Sequence, residues 1–230
     1  MEQIRNAEVY GVRAKRTFRQ GAIKYLDEAT KVTIREDVRQ LRYLDPHIGD
    51  LPLEAVHMGS LQGFIGARKK TGVRNRAINT VLQTVRHILN LAAGEWLDEN
   101  GLTWLQHAPK IKLLRATDRK EPCPLSWDEQ ARLFDELPLY LKRMALFKVN
   151  TGTRDQEVCN LRWAWEVSIP GLDTSVFIIP GERVKNRQDR LVVLNSVASS
   201  VIDEVRGEHA NYVITYRGKK VSAMYGRAWR

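Results

Sequence analysis

The sequence predicts a mainly α-helical protein with a small antiparallel sheet toward its C-terminal end. Three observations carry that expectation. Apolar residues recur at helical spacing through most of the first hundred residues. Past Gly171 the spacing shortens to alternation, the pattern of half-buried strands. Between the two regimes lies a proline-containing basic stretch, Pro109 to Pro124, with no periodicity. The expected organisation is a four-helix bundle over 14–108, a basic linker over 109–124 and a mixed α/β domain over 125–230.

The first helix is expected in TFRQGAIKYLDEAT, where Phe18, Ala22, Tyr25, Leu26 and Ala29 share a face. The second is TIREDVRQLRYL, with Ile34, Val38, Leu41 and Leu44 in register, and DPHIGDLPL after it reads as a loop. A third helix is expected through LEAVHMGSLQGFIGARKK, closed by a turn at Thr71-Gly72. The fourth and longest is NRAINTVLQTVRHILNLAAGEW, with Ile78, Leu82, Val85 and Leu89 inward. Four such helices make a small bundle.

Beyond the basic stretch, Ser126-Trp127-Asp128-Glu129 has the form of a capping box, so a helix starts there. Pro138 ends it, and another runs from about Tyr140 to Asn150. Gly152 suits the left-handed residue that closes a helix. Thr153 with Gln156 can then cap a short helix that turns Val158, Leu161 and Trp165 inward. SVFIIP and RLVVLN read as two strands of a hairpin whose polar tip is GERVKNRQD. A helix (VASSVIDEVRG), a strand (YVITY) and the start of a further helix (SAMYGRAWR) complete the chain.

Composition narrows the function. The formal net charge is +10 and the pI about 9.7, which suits a polyanionic partner, nucleic acid before an acidic membrane surface. No run approaches the roughly 18 apolar residues of a membrane span, and no signal-peptide core is present, so a cytoplasmic protein is expected. Cys123 and Cys159 have no partner spacing and read as reduced thiols. The five histidines form no HExxH motif and no His/Cys cluster, so no metal site is expected.

Two cations raise a chemical question. Arg154 follows a Thr-Gly-Thr turn between helices, either as a solvated side chain or as a planar fork aimed at a phosphate. Lys185 sits at the hairpin tip, either to keep the turn soluble or to reach a DNA phosphate. Two clusters invite phosphate contact as groups: Arg68, Lys69, Lys70, Arg74 and Arg76 in ARKKTGVRNR, and Lys110, Lys112 and Arg115 in the linker, continued by Arg119 and Lys120.

Taken in order, HIGDLPLEAV, GVRNRAINTVLQTVRHILNLAAGEWL, TGTRDQEVCNLRW, ERVKNRQDRLVVLN and YVITYRGKKV resemble the tyrosine recombinases, the phage integrase family, over nearly the whole chain. The resemblance implies a helical core-binding domain followed by an integrase-type catalytic domain, which in family members close on duplex DNA. It implies a tyrosine that attacks a DNA phosphate to form a 3′-phosphotyrosyl link, with no metal and no cofactor. Arg154 would then neutralise charge on the non-bridging oxygens. Lys185 would protonate the departing 5′-oxygen. Glu157 matches an acidic residue that orders the site, or is simply an acid favoured at a helix N-terminus.

The family's H-x-x-R pair and tyrosine nucleophile are not found. No histidine is followed by arginine three residues on, and Tyr212, Tyr216 and Tyr225 precede the place where H-x-x-R should begin. The expected catalytic domain is therefore incomplete, through an early stop or because the chain is part of a longer one, and cleavage of DNA is not expected. Residues 1–16 are too short for an arm-binding segment. A monomer is expected off DNA, and oligomers on DNA only with the missing C-terminal part. The alternatives are a non-catalytic DNA-binding remnant that occludes attachment sites, or an unrelated RNA-binding bundle with a β appendage.

Overall fold

A computed structural model describes residues 12–172 and 174–224. The chain divides into two compact units, Met1–Pro122 and Cys123–Arg230.

Among the described residues, the first unit is built on four α-helices: α1 (Phe18–Glu28), α2 (Ile34–Ile48), α3 (Gln62–Lys70) and α4 (Asn75–Gly94). Thr17 opens α1 with a capping box, its hydroxyl accepting from the amide of Gln20 while Gln20 Oε1 accepts from the amide of Thr17. The core is one cluster in which Leu44, Phe64, Leu82, Val85, Ile88 and Leu89 are fully buried. Burial of each such side chain contributes about 1.5–3 kcal/mol. The longest helix, α4, supplies most of it, as its unbroken apolar face foretold.

Two expectations for this unit are corrected. The segment read as a loop from Asp45 is helical through Ile48, with Pro46 inside α2. The proline forgoes one amide bond, but Ile48 is fully buried and Arg19 binds both Asp45 and Asp50, so tertiary contacts hold the last turn. The single helix expected over 53–70 is instead a short 3-10 turn (Leu53–Ala55), an irregular passage and α3. Local bonds compete with helix there: Ser60 Oγ accepts from the amide of His57, and His57 Nδ1 accepts from the amide of Gly59. The buried face of α2 also includes Asp37, which accepts from the hydroxyl of Tyr25 and pairs with Lys31.

The second unit holds α5 (Trp127–Glu136), α6 (Leu139–Thr151), α7 (Asp155–Cys159) and α8 (Ser196–Val205). Its sheet has the order β1 (Glu166–Ile169), β2 (Thr174–Ile179), β3 (Arg190–Val193), antiparallel throughout, with Phe177 opposite Val192 and Ile179 opposite Arg190. Phe147 of α6 meets Phe177 edge-on at 6.4 Å, the seam of a core that also takes in Val192, Val201 and Ile202. The Ser126–Glu129 capping box forms in full.

Strand β1 was not foreseen. Four residues beginning with glutamate carry too weak an alternation, and their partner β2 supplies the missing hydrogen bonds. YVITY yields only β4 (Thr215–Tyr216), which turns through Arg217 and Gly218, both at positive φ, into β5 (Lys219–Lys220). That pair of left-handed residues is the type I′ hairpin geometry. Val213 and Ile214 before it are buried, and the Val213 amide donates to the carbonyl of Leu161. The further helix expected in SAMYGRAWR falls largely on residues 225–230, outside the described residues. Among the described residues, no helix is long and apolar enough to cross a membrane.

Candidate functional site

The turn after α6 explains how Arg154 is presented. Gly152 takes φ 65°, and its amide donates to the carbonyl of Lys148 to end the helix. Thr153 is buried, its hydroxyl 2.9 Å from that of Thr151. Arg154 then stands in extended geometry as the residue that opens α7. The cap thus lies one residue later than the sequence suggested, at Arg154 and Glu157 rather than Thr153 and Gln156. The reason is chemical. Arginine offers no acceptor, so the capping is done by the acid: Glu157 Oε2 accepts from the Arg154 amide at 2.8 Å, and Oε1 accepts from Arg154 Nη1 at 2.8 Å.

Glu157 is held from a second side. Arg190, the first residue of β3, places Nη1 3.0 Å from Glu157 Oε2 and donates from Nη2 to the carbonyl of Gly152 at 2.8 Å. The Glu157 side chain is 2% exposed, between two guanidinium groups. Burial pushes its carboxyl up, but hydrogen bonds from the Arg154 amide and guanidinium, with the charges of Arg190 and Arg154, outweigh burial and hold it below the usual carboxylate range. An acid favoured only by a helix dipole would not need that setting. The Arg154 guanidinium is gripped at Nη1 and remains half exposed.

Lys185 occupies the tip of the segment between β2 and β3. Val184 is buried and anchors the loop, the Arg187 amide donates to the carbonyl of Val184, and the Gly181 amide donates to Asp189 Oδ1 at 2.8 Å. Lys185 is exposed. The loop that carries Lys185 therefore leads, five residues later, into the Arg190 that clasps the turn bearing Arg154. Arg190 was missed in the sequence. A signal existed: in RLVV it shares a side with Val192, which is buried, and an arginine on the core-facing side of a strand calls for a buried acid.

In the first unit, Arg68, Lys69 and Lys70 occupy the last turn of α3, where the helix dipole favours cations. Arg68 stacks 4.2 Å over the ring of Tyr43. Arg74 and Arg76 lie at the start of α4, where the dipole disfavours them, so their presence is not a device for helix stability. The stretch read as a linker is fixed on α4 over 111–118. Ile111 is buried, while Lys110, Lys112 and Arg115 are exposed. Asn79 donates to the carbonyl of Leu114 at 2.9 Å and accepts from its amide at 2.7 Å. The structure thus docks the second basic cluster on the helix that Arg74 and Arg76 open, while Arg68, Lys69 and Lys70 stay on α3.

No family model matches the chain. The integrase of Salmonella phage P22 is 27% identical over 167 residues, 71% of this chain and 39% of that protein. This chain therefore spans about two fifths of that relative. The λ integrase tetramer bound to a Holliday junction superposes with a TM-score of 0.66 at 14% identity, covering 94% of this chain and 65% of that one. The Tn1549 transposon integrase in complex with transposon right end DNA gives 0.63 at 15%, covering 90% and 73%. XerH site-specific recombinase bound to difH gives 0.52 at 14%, covering 82% and 56%. The fold is that of the tyrosine recombinases. In sequence, the chain is similar to a phage integrase, that of phage P22.

Proposed function

We propose that this chain is the DNA-gripping part of a site-specific recombinase of the integrase type. The observation that carries the reading is the Arg154–Glu157–Arg190 cluster. It places a half-exposed guanidinium at a helix opening, backs it with a buried carboxylate, and fastens it to the strand that Lys185 precedes. A guanidinium so held can neutralise a phosphate's non-bridging oxygens without rearranging. Lys185, at the end of its loop, is the proton donor for a departing 5′-oxygen. Glu157 positions rather than reacts. The basic surface of α3, α4 and 110–115 holds the duplex backbone, through Arg68, Lys69, Lys70, Arg74, Arg76, Lys110, Lys112 and Arg115. The core-binding region is 14–108 and the catalytic region 125–230.

The 230 residues contain neither an H-x-x-R pair nor a tyrosine beyond Tyr225. By themselves they bind DNA and do not cut it, and off DNA they are monomeric. Joined to a segment that supplies those groups, the chain breaks and rejoins strands through a phosphotyrosyl intermediate; the alternative is a naturally truncated remnant that occludes attachment sites. Two measurements on the same protein test this. Anisotropy with a labelled duplex, titrated with salt, should give a log–log slope of roughly −0.9 per phosphate neutralised. A nicked suicide substrate should trap no covalent adduct. A flat salt response overturns the DNA-binding reading, and a trapped adduct overturns the non-cleaving one.

A further inference from the structure

We infer that Asn79 is a positioning residue for DNA binding, acting through the strap 111–118 and touching no phosphate itself. The inference rests on the DNA-binding reading above and adds how the surface is assembled.

The strap has the alternation of a docked segment. Ile111 is buried and Leu113 and Leu114 are half-buried against the core, whereas Lys112 and Arg115 face out. Its backbone is pinned to α4 at three levels. Arg86 Nη2 donates to the carbonyl of Ile111. Asn79 makes the reciprocal pair with Leu114, one bond of 2.9 Å and one of 2.7 Å. At the start of the helix, Asn75 Nδ2 donates to the carbonyl of Arg115 at 2.8 Å, and the Asn75 amide donates to Asp118 Oδ2 at 2.6 Å. Asn75, Asn79 and Arg86 recur at helical spacing along one side of α4, so the strap follows that side.

The consequence is electrostatic. Arg74 precedes α4 as its cap and Arg76 lies in its first turn, and the strap sets the Arg115 backbone beside Asn75, between them in sequence. Lys112 lies further along the strap, exposed. A chain left free would have to be ordered when DNA bound, at an entropic cost for every residue fixed. Here the backbone is fixed beforehand, so Lys112 and Arg115 meet the duplex in a set register. Asn79 is the central fastener because it satisfies both the amide and the carbonyl of one strap residue.

The test compares Asn79→Leu, the charge variant Lys112→Ala/Arg115→Ala and the combined triple variant, with wild type, in the full chain on one labelled duplex across a salt series. The charge variant should make the log–log slope shallower by about 1.8, 0.9 for each cation. Asn79→Leu removes no charge, yet should move slope and affinity in the same direction, and the triple variant should lose little more than the charge variant. Asn79→Ala, equally uncharged, should match Asn79→Leu. Circular dichroism on each variant shows that α4 is intact; if Asn79→Leu fails that check, the comparison rests on Asn79→Ala. The inference is overturned if the folded Asn79 variants keep the wild-type slope, or if the Asn79 and charge effects simply add. If wild type itself shows no salt-dependent binding, the DNA-binding reading fails first.

Discussion

Arg190 and Glu157 lie in different elements, 33 positions apart in the sequence, and meet at 3.0 Å. The same guanidinium donates to the carbonyl of Gly152 at 2.8 Å. One side chain thereby ties the first residue of β3 to both the turn and the carboxylate that govern Arg154. Arg190→Met keeps the aliphatic stem and removes the donors. It leaves a buried carboxylate with one partner and a carbonyl with none, and should lower the stability of the second unit by about 2 kcal/mol. Urea unfolding monitored through tryptophan fluorescence measures this. A midpoint unchanged within error would mean that the pair adds nothing to the fold.

The same carboxylate sets a pH dependence with a definite sign. The Glu157 carboxyl lies below the usual carboxylate range in the folded chain and returns to about 4.3 when unfolded. Its contribution to stability is therefore present above about pH 4.3 and is lost as pH falls through the lower, folded value. Glu157→Gln should be less stable than wild type at pH 7, and the difference should shrink as the pH drops below the usual carboxylate range. Chemical denaturation at several pH values gives the two curves. Parallel curves over that range would contradict the proposed linkage.

Gly152 offers a cleaner backbone test. It takes φ 65°, and an added Cβ would meet nothing nearer than Arg190 Nη2 at 3.9 Å. Space is not the constraint; the left-handed conformation is. Gly152→Ala should cost about 1 kcal/mol, while Gly152→Asn, which tolerates that region, should cost less. Thermal melts of the two variants decide the order, and alanine matching glycine would show that the turn relaxes.

These elements differ in how far the sequence disclosed them. The Ser126–Glu129 cap and the face of α4 were legible because each is a local rule, satisfied within a few residues. Arg154, Glu157 and Lys185 were legible as candidates through the order of segments around them. What escaped depends on partners distant in the chain. Pro46 stays helical because Arg19 and a buried Ile48 hold the turn. β1 exists because β2 lies beside it. The strap is ordered because Asn79, 35 positions earlier, binds Leu114. Arg190 is the instructive case, since alternation put it on the inner side of its strand, but only the fold identified the acid it meets.

The loop carrying Lys185 can be tested without touching Lys185. An added Cβ at Gly181 would lie 2.6 Å from the carbonyl oxygen of Arg187 and 2.8 Å from its carbon, so backbone rather than a flexible side chain must give way. The Gly181 amide also donates to Asp189 Oδ1, so a displacement there reopens the base of the loop. Gly181→Ala should cost about 1–3 kcal/mol through overpacking and leave the rest of the second unit folded. If Lys185 contacts a phosphate, Lys185→Ala makes the salt slope of DNA binding shallower by about 0.9. Gly181→Ala then shifts it in the same direction although every charge is kept. Salt titrations of the two variants against wild type separate the cases. A Gly181→Ala protein with lowered stability but an unchanged slope would show that the loop's geometry matters to folding alone, and Lys185 would lose its place at the phosphate.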